Sequence, residues 1–214
     1  MKILYEDSAI AVCVKPAGVQ SQLSANGKDM INLLNAHFAE NGETTAEAYP
    51  VHRLDKETSG VMVYAKTKAA AANLSAQIAE NKIKKRYFAV IKGEIPQKQG
   101  ILKDLLFRDK QKNKTYTVKT MRKGVKEASL EYKVNGEKDG FTLLDILLHT
   151  GRTHQIRAQF SSRGFPLYGD RKYGGCNGDL ALFAYSLEFV HPINGETCVF
   201  KEMPDTDIHP WSMF

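Results

Sequence analysis

His52-Arg53-Leu54-Asp55-Lys56-Glu57-Thr58-Ser59-Gly60 runs directly into Val61-Met62-Val63-Tyr64-Ala65-Lys66, and the reading of this junction decides the fold. Val61, Val63 and Ala65 alternate with Met62, Tyr64 and Lys66, the period of two that marks a strand. The residues before Val61 cannot be strand interior, because they crowd cations, carboxylates and a Thr-Ser-Gly turn signal together. A carboxylate at the mouth of an apolar strand is held rigidly while its oxygens face a cleft. That position belongs to Asp55.

Working upstream, residues 3–5 and 9–14 read as two short strands about the polar turn Glu6-Asp7-Ser8. Lys15-Pro16-Ala17-Gly18 breaks the second, since proline cannot donate to a ladder and glycine permits positive φ. Asp29 suits the cap of a helix over 30–40, with Met30, Ile31, Leu33, Leu34 and Phe38 on one face and Asn41-Gly42 at its end. Downstream, Thr67 is placed to cap a second helix, 68–80, with Leu74 and Ile78 facing inward. Residues 86–91 read as a strand with Tyr87, Ala89 and Ile91 on one face.

From about 94 to 126 the apolar content thins and lysines dominate, so a basic loop or arm is expected there, holding short strands such as 116–118. Ala128, Leu130, Tyr132 and Val134 then alternate with polar residues as a one-sided strand, and 141–148 reads as a more deeply buried one. A helix is predicted over 153–163, closed by Gly164. Residues 182–190 and 197–200 form a late hairpin turned by Asn194-Gly195, and the tail 205–214 is expected to be loosely held. This order of elements predicts α+β: a mostly antiparallel or mixed sheet with flanking helices, as a single domain over 1–214.

Composition narrows the function classes. The chain has 214 residues, 43% hydrophobic and 25% charged, enough for one domain with a full core. No apolar run approaches the roughly eighteen residues of a membrane span. Glu6 and Asp7 stand where a signal peptide needs apolar residues, so export is not expected. Cys13, Cys176 and Cys198 are odd in number, far apart and without metal-ligand spacing, as in a reduced cytoplasmic protein. The net charge of +6 conceals an asymmetry. Residues 82–126 hold fifteen Lys or Arg against three acids (Glu94, Asp104, Asp109), a local +12 that leaves −6 for the rest. Such a bipolar chain points to a polyanionic partner.

Five further segments carry pattern: Val14-Lys15-Pro16-Ala17-Gly18-Val19, residues 85–93 (KRYFAVIKG), Thr150-Gly151-Arg152-Thr153-His154-Gln155-Ile156-Arg157, residues 167–174 (LYGDRKYG) and, more loosely, 187–192. With the stretch from His52 to Lys66, this ordered set resembles the RluA-like pseudouridine synthases, which turn selected uridines in RNA into pseudouridine. The resemblance spans roughly residues 10–205 and agrees with the α+β reading. Some relatives carry an appended N-terminal RNA-binding module, and no room for one is seen here. The segment Val12-Cys13-Val14 lacks the asparagine often found before the Lys-Pro pair.

The implied reaction breaks the N1–C1′ bond, turns the base and rejoins it through C5. It leaves oxidation state unchanged, so no cofactor is expected. It needs a carboxylate as nucleophile or base, and the resemblance assigns that role to Asp55. Whether Asp55 adds to C6, attacks C1′ or removes a sugar proton stays open. Arg157 is the cation that the family pattern points to for keeping a desolvated carboxylate ionised; on the predicted helix it shares a face with Thr153. Tyr87 is expected to border the cleft, where its ring can stack on an extruded uracil. Arg53 fills the space left by the base in the family precedent, and His52 is placed to orient the loop. Arg152, His154, Lys85, Lys110, Lys112 and Lys114 are candidate RNA contacts. No Gly-x-x-x-x-Gly-Lys-Ser/Thr is present, so no nucleotide cofactor is expected. His52, Asp55, His149 and His154 fit no common zinc spacing. The resemblance implies as partner a structured RNA, ribosomal or transfer, with its uridine in a loop or bulge, and the protein is expected to be a monomer. Two other readings stay open: an RNA-binding protein of this fold without activity, and a nucleoside or glycoside hydrolase, which lacks an obvious second carboxylate.

Overall fold

A computed structural model describes residues 1–214. In chain order the elements are β1 (Lys2–Glu6), β2 (Ile10–Lys15), α1 (Met30–Glu40), β3 (Tyr49–Pro50), β4 (Ser59–Ala65) and α2 (Lys68–Ala79). They continue with β5 (Lys84–Lys92), β6 (Gln99–Asp109), β7 (Lys114–Val118), β8 (Val125–Lys138), β9 (Phe141–Leu148), α3 (Gln155–Ser161), β10 (Leu182–Val190), β11 (Thr197–Lys201) and a short 3-10 turn, Trp211–Met213. The chain divides into two compact units, Met1–Lys85 with Ala184–Met203, and Arg86–Phe183 with Pro204–Phe214.

In the first unit β1, β2, β4 and β10 lie side by side, with β3 on β4 and β11 on β10. β1–β2, β2–β4 and β10–β11 are antiparallel, and β2 meets β4 in unbroken register from Ile10↔Ala65 to Lys15↔Gly60. Every residue of β4 after Ser59 is buried, because this central strand is covered on both faces. Val61, Val63 and Ala65 join Leu74 and Ala70 of α2, Leu187 and Phe189 in one core. Burying three or four aliphatic chains at about 1.5–3 kcal/mol each makes that core the main anchor of the junction. Asp29 caps α1 by accepting the Asn32 N–H, and Thr67 caps α2 by accepting that of Ala70. The α1 face is narrower than predicted: Met30, Ile31, Leu34 and Phe38 are buried, but Leu33 is 42% exposed.

Gly60 shows why Thr-Ser-Gly precedes the strand. Its φ is +128, and a Cβ there would stand 2.3 Å from the Ala184 carbonyl oxygen of β10. Only glycine lets the chain leave the Asp55 loop and enter the sheet at this angle.

The second unit orders its strands β5-β9-β8-β6-β7. Here the expected basic loop is corrected. Residues 99–118 form a long antiparallel hairpin, β6–β7, and β6 pairs with β8 from Gln99↔Lys133 to Phe107↔Val125. The apolar signal is sparse because this part of the sheet buries one face at intervals, at Leu102, Leu106 and Thr115. β9 has the predicted bounds, but it is one-sided too, burying Thr142, Leu144, Ile146 and Leu148 in alternation. In the tail, residues 205–209 are exposed, Pro210 is buried, and His209 meets the Tyr168 ring edge-on with centroids 5.0 Å apart.

Helix α3 starts at Gln155, two residues later than predicted, because His154 sits in the left-handed region at φ 53. The Gln155 side chain closes the turn before it, accepting from the Thr150 hydroxyl (2.8 Å) and the Arg152 N–H (3.0 Å) while donating to the Ser129 carbonyl (3.1 Å). Thr153 therefore lies outside the helix and shares no helical face with Arg157. At the other end Gly164, φ +85, donates to Ser161 and Phe165 to Phe160, the paired bonds of a glycine-terminated helix.

Candidate active site

Asp55 lies half-buried on the loop between β3 and β4, next to the buried Leu54 and the exposed Arg53. The loop is a braced one. Lys15, at the end of β2 and 0% exposed, donates its ammonium protons to the carbonyls of Pro16 (2.8 Å), Val19 (2.7 Å) and Lys56 (3.0 Å). The Gly18 N–H reaches the same Lys56 carbonyl at 2.9 Å. The Ser21 hydroxyl donates to the Leu54 carbonyl (2.9 Å) and accepts from the Leu54 N–H (3.0 Å). The Lys-Pro-Ala-Gly segment thus grips the backbone on both sides of Asp55, at Leu54 and Lys56. Burial pushes the Lys15 pKa down to about 8, and the negative charges of Glu57 and Asp55 oppose that fall. Lys15 stays mostly charged at neutral pH, and bonds from a charged donor are worth roughly 1.5–3 kcal/mol each.

His52 accepts the Val63 N–H through Nε2 at 3.2 Å, a bond from the loop to β4. Burial lowers its pKa to about 3, with the Lys85 ammonium adding to the effect, so the ring is neutral. Lys85 is lowered too, by desolvation. A neutral His52 has a consequence for pH stability. The unfolded chain protonates this histidine near its ordinary pKa of about 6.5, while the folded one does not until about 3, so stability is full above 6.5 and declines as pH falls through this window. Chemical denaturation of wild type should lose stability faster between about pH 6.5 and 4 than His52→Gln does. Parallel curves would show that His52 charges in the folded protein.

Tyr87 is on β5, 6% exposed, on the buried face shared with Ala89 and Ile91.

Arg157 is 7% exposed on α3, and its guanidinium is held by Asp170 in a two-pronged pair, Nε to Oδ2 and a terminal nitrogen to Oδ1, both 2.7 Å. Asp170 is 1% exposed. Its placement depends on Gly169, φ +72, where a Cβ would stand 2.0 Å from the Asp179 carbonyl oxygen. Tyr173 lies beside the pair, its ring centroid 5.1 Å from the guanidinium carbon of Arg157. His154 is 9% exposed, with Nδ1 2.9 Å from the Tyr173 hydroxyl, so it belongs to this buried cluster and not to a surface that meets phosphate. Arg152 is exposed and turns its Nε to the Glu127 carbonyl (3.0 Å). Sequence reasoning assigned no role to Lys15, Asp170 or Tyr173, although each falls in a segment that it singled out.

The basic stretch is less uniform than its composition. Lys82, Lys84, Arg86 and Lys98 pair with Glu80, Glu188, Asp145 and Glu137, acids outside the segment. Lys110 and Lys112 are exposed in the turn of the β6–β7 hairpin, and Lys119, Arg122 and Lys123 are exposed beyond β7. Lys114 is half-buried, its ammonium 4.9 Å from the centroid of the Tyr173 ring and 5.6 Å from that of Tyr116.

The family model for RNA pseudouridylate synthase matches residues 9–162. A protein of Aquifex aeolicus (strain VF5), named as an uncharacterized RNA pseudouridine synthase, is 38% identical over 99% of this chain and 72% of its own. The ribosomal large subunit pseudouridine synthase C of Buchnera aphidicola is 32% identical over 96% of this chain and 68% of its own. The solved structure of human RNA pseudouridylate synthase domain containing 1 superposes with a TM-score of 0.79 at 22% identity, covering 98% of this chain and 85% of that one, so the α+β fold is that of these synthases. From its sequence matches, the chain belongs to the RNA pseudouridylate synthase family, the enzymes that turn uridine in RNA into pseudouridine.

Proposed function

We propose that this chain acts on large-subunit ribosomal RNA, with Asp55 as the carboxylate that reacts with an extruded uridine. The observation that supports this reading most is the bracing of the Asp55 loop. A buried ammonium and a buried hydroxyl hold its backbone on both sides of Asp55, the preorganisation that a reacting carboxylate needs. Named relatives act on the large ribosomal subunit, which favours that RNA as the substrate. The chain acts as a monomer in the cytoplasm, on a uridine in a loop or bulge. Arg157, fixed by Asp170, supplies a permanent positive charge, and Tyr87 supplies an aromatic face for the base.

The chemistry balances without a cofactor. The N1–C1′ bond breaks, C1′ joins C5, the C5 proton leaves to solvent and N1 gains one. Purified protein and ribosomal RNA carrying tritium at uridine C5 test this directly. Release of tritium to water, one per pseudouridine formed, is expected; RNA that keeps all its label would refute the reading.

The hairpin lysines give a second expectation. If about four phosphates of unpaired RNA are neutralised, log K falls with log salt at a slope near −3. Lys110→Gln, Lys112→Gln and Lys119→Gln together should flatten that slope to about −1. An unchanged slope would place the RNA elsewhere.

A further inference from the structure

The β6–β7 hairpin meets the Arg157 helix through Gln159, which donates to Asp104 of β6 (2.7 Å), and, at β7, through Tyr173. The Tyr173 hydroxyl accepts the Thr115 N–H of β7 at 2.7 Å and stands 2.9 Å from Nδ1 of His154, the left-handed residue that opens α3. A phenol that accepts an N–H keeps its own proton to give, and the hydroxyl and Nδ1 of His154 share a second hydrogen bond. The ring is flanked by two cations, the Lys114 ammonium at 4.9 Å and the Arg157 guanidinium at 5.1 Å. Tyr173 is itself fixed: its N–H donates to Asp170 (3.1 Å), its carbonyl accepts from the Ser161 hydroxyl (2.7 Å), and it is 7% exposed. Next to it the Thr115 hydroxyl donates to the Thr153 carbonyl at 2.8 Å.

A tyrosine that only filled the core would need no such partners. Phenylalanine has the same shape, yet it would leave a buried strand N–H and a buried imidazole nitrogen unmet. The hydroxyl therefore joins the backbone of the hairpin to the turn that sets α3, and the ring joins a hairpin lysine to Arg157.

We propose that Tyr173 is a positioning residue that couples the seating of the basic hairpin to the placement of the Arg157 guanidinium. RNA that engages Lys110 and Lys112 at the hairpin tip settles β7, and through Thr115 and Tyr173 this holds Arg157 where the reaction uses it. The proposal rests on the reading that the hairpin meets RNA and that Arg157 serves turnover.

The test is a kinetic cycle of wild type, Tyr173→Phe, Lys112→Gln and the double variant, measured well below the melting temperature of each. Tyr173→Phe should lower kcat about tenfold at saturating RNA, with KM and RNA affinity within about twofold. Lys112→Gln should lower kcat in the wild-type background and leave it unchanged in the Tyr173→Phe background, where only KM moves. Thr115→Val cuts the second tie of β7, the bond to the Thr153 carbonyl, carries the same expectation and serves if Tyr173→Phe does not fold. Wild-type kcat in Tyr173→Phe, or losses in kcat that simply multiply, would overturn the coupling. Arg157→Lys separates this from failure of the underlying reading: if its turnover equals wild type, Arg157 does not serve the reaction and both fall.

Discussion

Asp55→Ala should abolish pseudouridine formation while RNA affinity stays within a few-fold. On the proposed reading the Asp55 carboxylate is the group that the reaction consumes and regenerates, and no other loop carboxylate takes its place. Glu57 is two residues away but exposed, in the turn after Asp55. On the same reading RNA affinity comes from lysines that neutralise phosphates, to which one carboxylate contributes little. The fold should survive as well, because Lys15 and Ser21 brace the loop through backbone atoms of Lys56 and Leu54, which the substitution leaves in place. Tritium release and filter binding on the same preparation check both halves. Residual turnover above about one part in a thousand would remove Asp55 from the central role.

Asp170→Ala should be the most destabilising single change in the second unit. The pair with Arg157 is almost wholly buried, and removing one partner leaves the guanidinium without its two-pronged acceptor in a place that water hardly reaches. Breaking such a pair costs about 3–5 kcal/mol, whereas replacing both charges by apolar groups is often nearly neutral. Urea denaturation should therefore show a large loss for Asp170→Ala and partial recovery in the double variant Asp170→Ala with Arg157→Met. Activity should fall in the single variant and not return in the double. A loss under about 1 kcal/mol for Asp170→Ala would mean that the pair is not the anchor described.

The parts of the fold that were legible in sequence are those set by local chemistry. Asp29 and Thr67 cap the helices that follow them through their own side chains, as their residue types require. Leu182–Val190 with Thr197–Lys201, and Phe141–Leu148, carry enough apolar alternation to mark their bounds within one residue. What failed depends on distant partners. The β6–β7 hairpin reads as a loop because it buries few side chains, and its pairing comes from β8, whose own alternation says nothing about which strand lies beside it. The start of α3 is set by a left-handed histidine and by a glutamine reaching Ser129, twenty-six positions away. Histidine does not announce positive φ as glycine does.

The same distinction holds at the site. Asp55 stands out because it lies in the motif from His52 to Lys66 that carries the family resemblance. Lys15 looks like the end of a strand until Lys56, forty-one residues on, supplies the carbonyl that it binds. Asp170 and Tyr173 gain meaning only when the turn at Gly169 brings Asp170 to Arg157 and β7 comes to rest on the Tyr173 hydroxyl.

The most direct measurement is a pseudouridine map of total RNA from the host with the gene deleted, then restored as wild type or as Asp55→Ala. At least one uridine of the large-subunit ribosomal RNA should lose its modification on deletion, regain it with wild type and fail to regain it with Asp55→Ala. A map unchanged by deletion, or one restored equally by Asp55→Ala, would contradict the account.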